Sequence, residues 1–132
     1  MKLGFIGTGK ITSAVVTGIC RSNISYKKII ISHRTKSVAQ KLKKRFKKIT
    51  ISNNNQEIIN SCDWIFLSVT PIVGEKIIKN LKFKSNQTII SFISTITLAQ
   101  LKKAIKVKAK IIRAIPLPPI SLKRTSTNLS SK

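Results

Sequence analysis

Residues 3–20 read LGFIGTGKITSAVVTGIC, and this stretch decides the fold. It starts as an apolar run, breaks at Gly7-Thr8-Gly9, and resumes with apolar positions at a helical spacing. A short apolar run closed by glycine reads as a buried strand over residues 2–7. Ile11, Ala14, Val15, Gly18 and Ile19 then share one face of a helix over residues 9–21. A strand that turns through G-x-G directly into a helix is the context in which a dinucleotide fingerprint carries weight. The first glycine permits the tight turn, and the second lets a pyrophosphate approach the backbone. The helix start presents unpaired N–H groups and partial positive charge to phosphates. The third fingerprint position, usually Gly for close helix–strand packing, holds Thr12. Ala14 and Gly18 are expected to supply that closeness further along. The alternative is a plain strand–helix turn with no ligand.

The rest of the chain repeats the alternation. Apolar strand runs are predicted at residues 27–32, 49–52, 63–69, 87–93 and 109–116. Helices are predicted between them: one with Val38, Ala39, Leu42 and Phe46 inward, a brief one from the cap-rich NNNQEIINSC, one opened by Pro71, and one capped by Thr97. The strands are continuous apolar runs rather than alternating ones. That is the pattern of a parallel sheet covered on both faces, a Rossmann-type doubly wound α/β fold of about six strands. Residues 1–119 read as one such domain. Three prolines followed by Ser, Thr, Asn and Lys make residues 120–132 an irregular or frayed tail.

At 132 residues with 42% hydrophobic content, the chain can bury a core without staples. Its net charge is +23, from 26 basic and 3 acidic residues. Such an excess invites a nucleic-acid reading. Against it stand the missing RNA-binding and zinc motifs and an aromatic content of only 5%. Compositional drift plus a solvated face is the favoured account, with incidental binding to polyanions at low salt. Cys20 and Cys62 form no CxxC or zinc spacing and read as buried free thiols, in keeping with a reducing, cytoplasmic setting. No metal site is expected. Nothing reads as a signal peptide or membrane span.

The end of the second strand discriminates between cofactors. An NAD site wants a carboxylate there for the ribose hydroxyls. The chain has SHRTK at residues 32–36, with no acid nearby in sequence. Ser32, Arg34, Thr35 and Lys36 would instead surround a 2′-phosphate, the guanidinium giving a bidentate clamp. NADP is therefore expected over NAD. His33 falls at the adenosine end, far from any hydride, and is not expected to be catalytic.

With these residues in hand, the chain resembles the pyrroline-5-carboxylate reductases, most closely a subgroup with Thr in the glycine motif. The matching stretches are GFIGTGKITSAVVTGIC, LSVTP at residues 67–71, IISFIST at 89–95 and RAIPLPP at 113–119. The resemblance implies hydride transfer from NADPH to a cyclic imine acid, the step that yields proline. It assigns Gly7, Thr8, Gly9, Lys10 and Ile11 to the pyrophosphate turn, and Ser32, Arg34 and Thr35 to the 2′-phosphate. It further implies that Val69, Thr70 and Pro71 line the cofactor, that Ser94 and Thr95 approach the nicotinamide, and that Pro116, Leu117 and Pro118 flank its carboxamide. Thr70 stands where such reductases often carry Lys. The family continues with a helical domain that dimerises and supplies most of the imine site. This chain ends at Lys132 and reads as truncated before that domain, which leaves a homo-oligomer in doubt and residues 111–115 as an unprotected sheet edge.

The only carboxylates are Glu57, Asp63 and Glu75, none expected to face the nicotinamide, so no catalytic residue is assigned. Three functions stay open: the NADP-binding part of a reductase, a non-catalytic nucleotide-binding remnant, and a basic nucleic-acid-binding protein on the same scaffold.

Overall fold

The computed structural model describes residues 1–7, 10–32, 36–115 and 128–130. Its elements alternate along the chain: β1 (Lys2–Ile6), α1 (Lys10–Arg21), β2 (Lys28–Ser32), α2 (Lys36–Arg45), β3 (Ile49–Ser52) and α3 (Asn55–Ser61). β4 (Trp64–Leu67), α4 (Pro71–Ile78), β5 (Thr88–Ser91), α5 (Leu98–Ile105), β6 (Lys110–Ile115) and β7 (Asn128–Ser130) follow. The sheet order is β3-β2-β1-β4-β5-β6-β7. β1 to β6 are mutually parallel, so the expected Rossmann-type doubly wound sheet is present.

The strands read as unbroken apolar runs because successive side chains enter two separate cores. On one face Ile6, Ile30, Ile65, Leu67 and Ile89 pack under Ile58 and Ile59 of α3, Ile78 of α4 and Leu101 of α5. On the other, Leu3, Phe5, Ile29, Ile31 and Phe66 pack under Val16 of α1 and Ala39 and Leu42 of α2. Phe5 and Phe66 are register partners and stack at 4.4 Å between ring centroids, with Phe66 in turn 6.0 Å from Phe92. Gly4 is required by close approach: a Cβ there would meet Ile58 Cγ2 at 2.5 Å and Cys62 Sγ at 2.9 Å.

Several local expectations hold. Thr97 closes a capping box with Gln100 on α5, Pro71 sits in the first turn of α4, and Asn54 caps α3 by accepting from the Gln56 and Glu57 amides. Others are corrected. The buried stripe of α1 is Thr12, Val16 and Thr17, while Ile11 is 38% exposed, so the helix is rotated by about one residue from the expected face. Within the segment expected to be irregular, Asn128–Ser130 pairs antiparallel with Arg113–Ile115, which covers that part of the expected edge. The remainder of that segment lies outside the described residues. Both cysteines are free, but Cys20 is only half-buried and accepts from the Tyr26 hydroxyl at 3.3 Å. Burial, then the Asp63 carboxylate, push the Cys62 thiol up to about 11. Burial likewise raises Cys20 and takes the Tyr26 phenol up to about 12.

Gln87 has a role that its sequence context does not signal. It is 2% exposed, and its side-chain amide donates to Ile59 O (2.6 Å) and Cys62 O (2.9 Å) while its carbonyl accepts from the Lys84 amide (2.8 Å). It closes the end of α3 onto the start of β5.

Candidate functional site

Strand order reverses at β1, which has β2 on one side and β4 on the other. In a doubly wound sheet the crevice above that reversal, at the carboxyl ends of the strands, is where ligands bind. Gly7 leaves β1 at this point with φ +107°, a backbone conformation that strongly favours glycine. A Cβ would also lie 2.6 Å from Ser68 O and 2.8 Å from the Ser68 carbonyl carbon. The expected tight turn is thus forced twice, by dihedral and by the adjacent β4 backbone.

Two hydroxyls hold Gly7, and a third backs one of them. Its N–H donates to Ser32 Oγ at 2.9 Å, and its carbonyl accepts from Thr12 Oγ1 at 2.7 Å. Thr12 Oγ1 also makes a short hydrogen bond with Ser68 Oγ. Thr12 has a single hydroxyl proton and spends it on Gly7, so Ser68 is the donor to Thr12. Thr12, fully buried, therefore does by hydrogen bonding what a third glycine does by being small: it fastens the first turn of α1 to the ends of β1 and β4. Ala14 and Gly18, expected to supply this closeness, are only half-buried. Ser32, expected at a 2′-phosphate, is 4% exposed, and its oxygen is already engaged with Gly7.

The other expected residues gather along the same sheet edge. Lys10 begins α1 and is exposed, as is Ile11 beside it. Val69 follows β4, with its Cγ1 2.8 Å from where a Gly7 Cβ would stand. Thr70 is the N-cap residue of α4 but makes no side-chain cap bond, and both it and Pro71 are exposed. Ser94 and Thr95 are exposed in the turn after β5, and Arg113 of β6 donates to Ser94 O at 2.7 Å, which ties that turn down. Thr8, Gly9, His33, Arg34, Thr35, Pro116, Leu117 and Pro118 lie outside the described residues. Two residues at this edge were missed from sequence: Ser68, and Ile72, which is 71% exposed on the first turn of α4.

Neither α1 nor α4 carries an acidic residue in its first turn, so both helix starts keep their partial positive charge at the β1–β4 reversal. That matches a diphosphate. Beside it, past the end of β2, lies a hollow of about 710 Å³ lined by Lys36, Thr50, Ser52, Asn53, Glu57 and Ser61 among others. Glu57 is the surprise. No acid is near residues 32–36 in sequence, yet α3 brings this carboxylate to the same hollow as Lys36, where Ser52 Oγ donates to it at 3.2 Å. Asp63 lies at the opposite edge, accepting from the Lys2 amide at 2.8 Å, and Glu75 is on α4. Among the described residues there is no cluster suited to a metal ion, and no helix is long and apolar enough to cross a membrane.

Comparison with known proteins first assigns the class. Residues 2–95 match the family described as NADP oxidoreductase, coenzyme F420-dependent, and the chain belongs to that family. Within it, the resemblance to pyrroline-5-carboxylate reductases holds. Pyrroline-5-carboxylate reductase 3 of Danio rerio is 28% identical over 125 residues, 92% of this chain but 43% of the relative. The pyrroline-5-carboxylate reductase of Escherichia coli K12 is 27% identical over 132 residues, 98% of this chain and 49% of that one. The crystal structure of Plasmodium falciparum pyrroline carboxylate reductase with NADP bound matches at a TM-score of 0.83 and 25% identity, covering 100% of this chain and 48% of that one. The chain thus spans under half the length of the curated relatives it matches.

Proposed function

We propose that this chain binds NADP along the carboxyl edge of its sheet, as the cofactor-holding part of a pyrroline-5-carboxylate reductase-like oxidoreductase. The observation that carries the reading is the Gly7 turn: a positive-φ glycine at the strand-order reversal, pinned by two hydroxyls and opening onto a helix start free of acids. The solved Plasmodium falciparum relative, which holds NADP, supports the choice of cofactor. Lys10 and the amides of the first turn of α1 would face the diphosphate. Lys36, with Arg34 by sequence, would face a 2′-phosphate. Val69, Thr70 and Ser94 would line the path toward the nicotinamide end. Bound NADPH would supply the hydride, and this chain's residues would hold and orient it.

The substrate is inferred as a cyclic imine acid from the named relatives. Among the described residues Arg113 reaches the nicotinamide end, where its guanidinium donates to Ser94 O, and no proton donor is assigned. A nucleotide-binding remnant without turnover shares the same site and is the second reading. Titration with NADPH followed by an imine-reduction assay separates the two. Binding with turnover supports the reductase, binding alone supports the remnant, and no binding refutes both. Arg34→Asp should erase any preference for NADPH over NADH. Survival of that preference would mean that Lys36 or another group, not Arg34, carries it.

A further inference from the structure

The excess of lysine reads in sequence as compositional drift. Drift alone lays cations on every exposed surface, yet the two helical layers do not share them equally. The α1–α2 layer, helices of 12 and 10 residues, carries Lys10, Arg21, Lys36, Lys41, Lys43, Lys44 and Arg45 and no acid. The helices of the α3–α5 layer, of 7, 8 and 8 residues, carry Lys76, Lys102 and Lys103 against Glu57 and Glu75. Helix for helix the first layer is strongly basic and the second almost neutral, the second layer's further cations, Lys79, Lys82, Lys84 and Lys106, lying in the caps and segments that follow α4 and α5.

The cations on the first layer also frame a defined groove. Between α1 and α2 runs a trough of about 490 Å³ with Lys10 and Arg21 at its two ends on α1 and Lys41 and Arg45 along α2. Ser13, Ala14 and Thr17 form its floor, small side chains that let an occupant approach the helix. Lys10 and Arg21 are the first and last residues of α1, roughly 17 Å apart along its axis at about 1.5 Å per residue. A nucleic-acid backbone repeats its charge along the strand, so successive phosphates can meet cations spread over that length. Four cations spread along such a distance suit a polymer better than a single phosphate.

We propose that the α1–α2 groove is a docking surface for the phosphate backbone of a nucleic acid. Among the described residues no aromatic side chain lines the groove, which leaves bases without a stacking platform and makes the contact sequence-independent. Its apolar lining there is limited to Ala14 and Val38, too little to anchor an acidic peptide, which would need a buried hydrophobic contact. The groove lies on the outer surface of the helices, away from the hollow beside Lys36, and only Lys10 at its end also borders the glycine turn. Lys41 and Arg45 therefore report on the groove apart from the nucleotide site.

The test is fluorescence anisotropy of the full chain with a labelled duplex of about 20 base pairs and arbitrary sequence, in KCl from about 50 to about 300 mM. Four phosphate contacts predict a slope of log K against log salt of roughly −3.6. K41Q/R45Q removes two groove cations and should shallow that slope by about 2. K102Q/K103Q lowers net charge equally on the other layer and should leave the slope unchanged. NADPH binding, unaffected in both variants, reports that each is folded. Equal weakening by the two double variants would overturn the proposal in favour of net charge alone. Absence of duplex binding at about 150 mM KCl would also overturn it. So would displacement of the duplex by poly-glutamate as readily as by unlabelled duplex, which would assign the groove to an acidic protein.

Discussion

Thr12→Val removes one oxygen and keeps the shape of the side chain, so it isolates the hydroxyl that stands in for glycine. Two hydrogen bonds are lost, one to Gly7 O and one from Ser68 Oγ. A typical net contribution is about 0.5–1.5 kcal/mol each. Ser68 is not stranded: its hydroxyl can turn to Ile6 O at 3.4 Å or Gly7 O at 3.5 Å. The expected loss is therefore about 1–3 kcal/mol, below the full cost of a buried orphan. Urea denaturation at room temperature measures it. With m of about 1–3 kcal/mol/M, the midpoint should fall by roughly 1 M. Ser68→Ala should cost less, about 0.5–1.5 kcal/mol, since Thr12 keeps its bond to Gly7. The double variant should cost less than the sum of the singles, because they share one bond. NADPH affinity should fall in Thr12→Val, since the Gly7 peptide loses one of its tethers. Thr12→Val within about 0.5 kcal/mol of the parent, with unaltered NADPH affinity, would refute the reasoning: the helix would then be held by packing alone.

Gly7→Ala meets both a positive φ and a backbone contact at 2.6 Å. It should cost about 3 kcal/mol or more and abolish NADPH binding; a thermal melt and a nucleotide titration check it. Gln87→Leu leaves the Ile59 and Cys62 carbonyls and the Lys84 amide without their partner. It should cost about 2–4 kcal/mol by urea titration, whereas Asn86→Ser, a change on the exposed neighbour, should cost under about 0.5 kcal/mol. The Cys62 thiol is raised from 9.0 to about 11 on folding, so the native state keeps its proton longer than the unfolded chain does. That contribution is whole below pH 9.0 and is lost as pH rises through about 11. The stability gap between the parent and Cys62→Ala should accordingly narrow from about pH 8.5 to about pH 11, and a gap constant across that range would contradict the burial argument.

The order of elements was legible from sequence because burial on two faces leaves a local trace. Runs such as Ile29-Ile30-Ile31 can only be strands that both cores claim, and the capping box at Thr97 is complete by Gln100. The glycine turn was legible for the same reason, since its dihedral demand falls on Gly7 itself. The face of α1 was read one residue off because Thr12 and Thr17 count as polar in any periodicity, although both are buried. The β7 pairing was hidden in a stretch whose composition resembles a loop.

The sequence by itself determined the alternation of strand and helix, the position of the glycine turn and the family resemblance. All three rest on neighbours in the chain, on period and on local backbone demand. Tertiary structure alone decided how that turn is held and what surrounds it. Thr12 meets Ser68 across 56 residues, Gly7 meets Ser32 across 25, and Glu57 reaches the hollow of Lys36 only because α3 folds over β2. Hydrogen bonds and charges act through space, so a carboxylate absent from one stretch of sequence can still stand beside it. The cations of α1 and α2 likewise become one surface only once the sheet sets both helices on the same face.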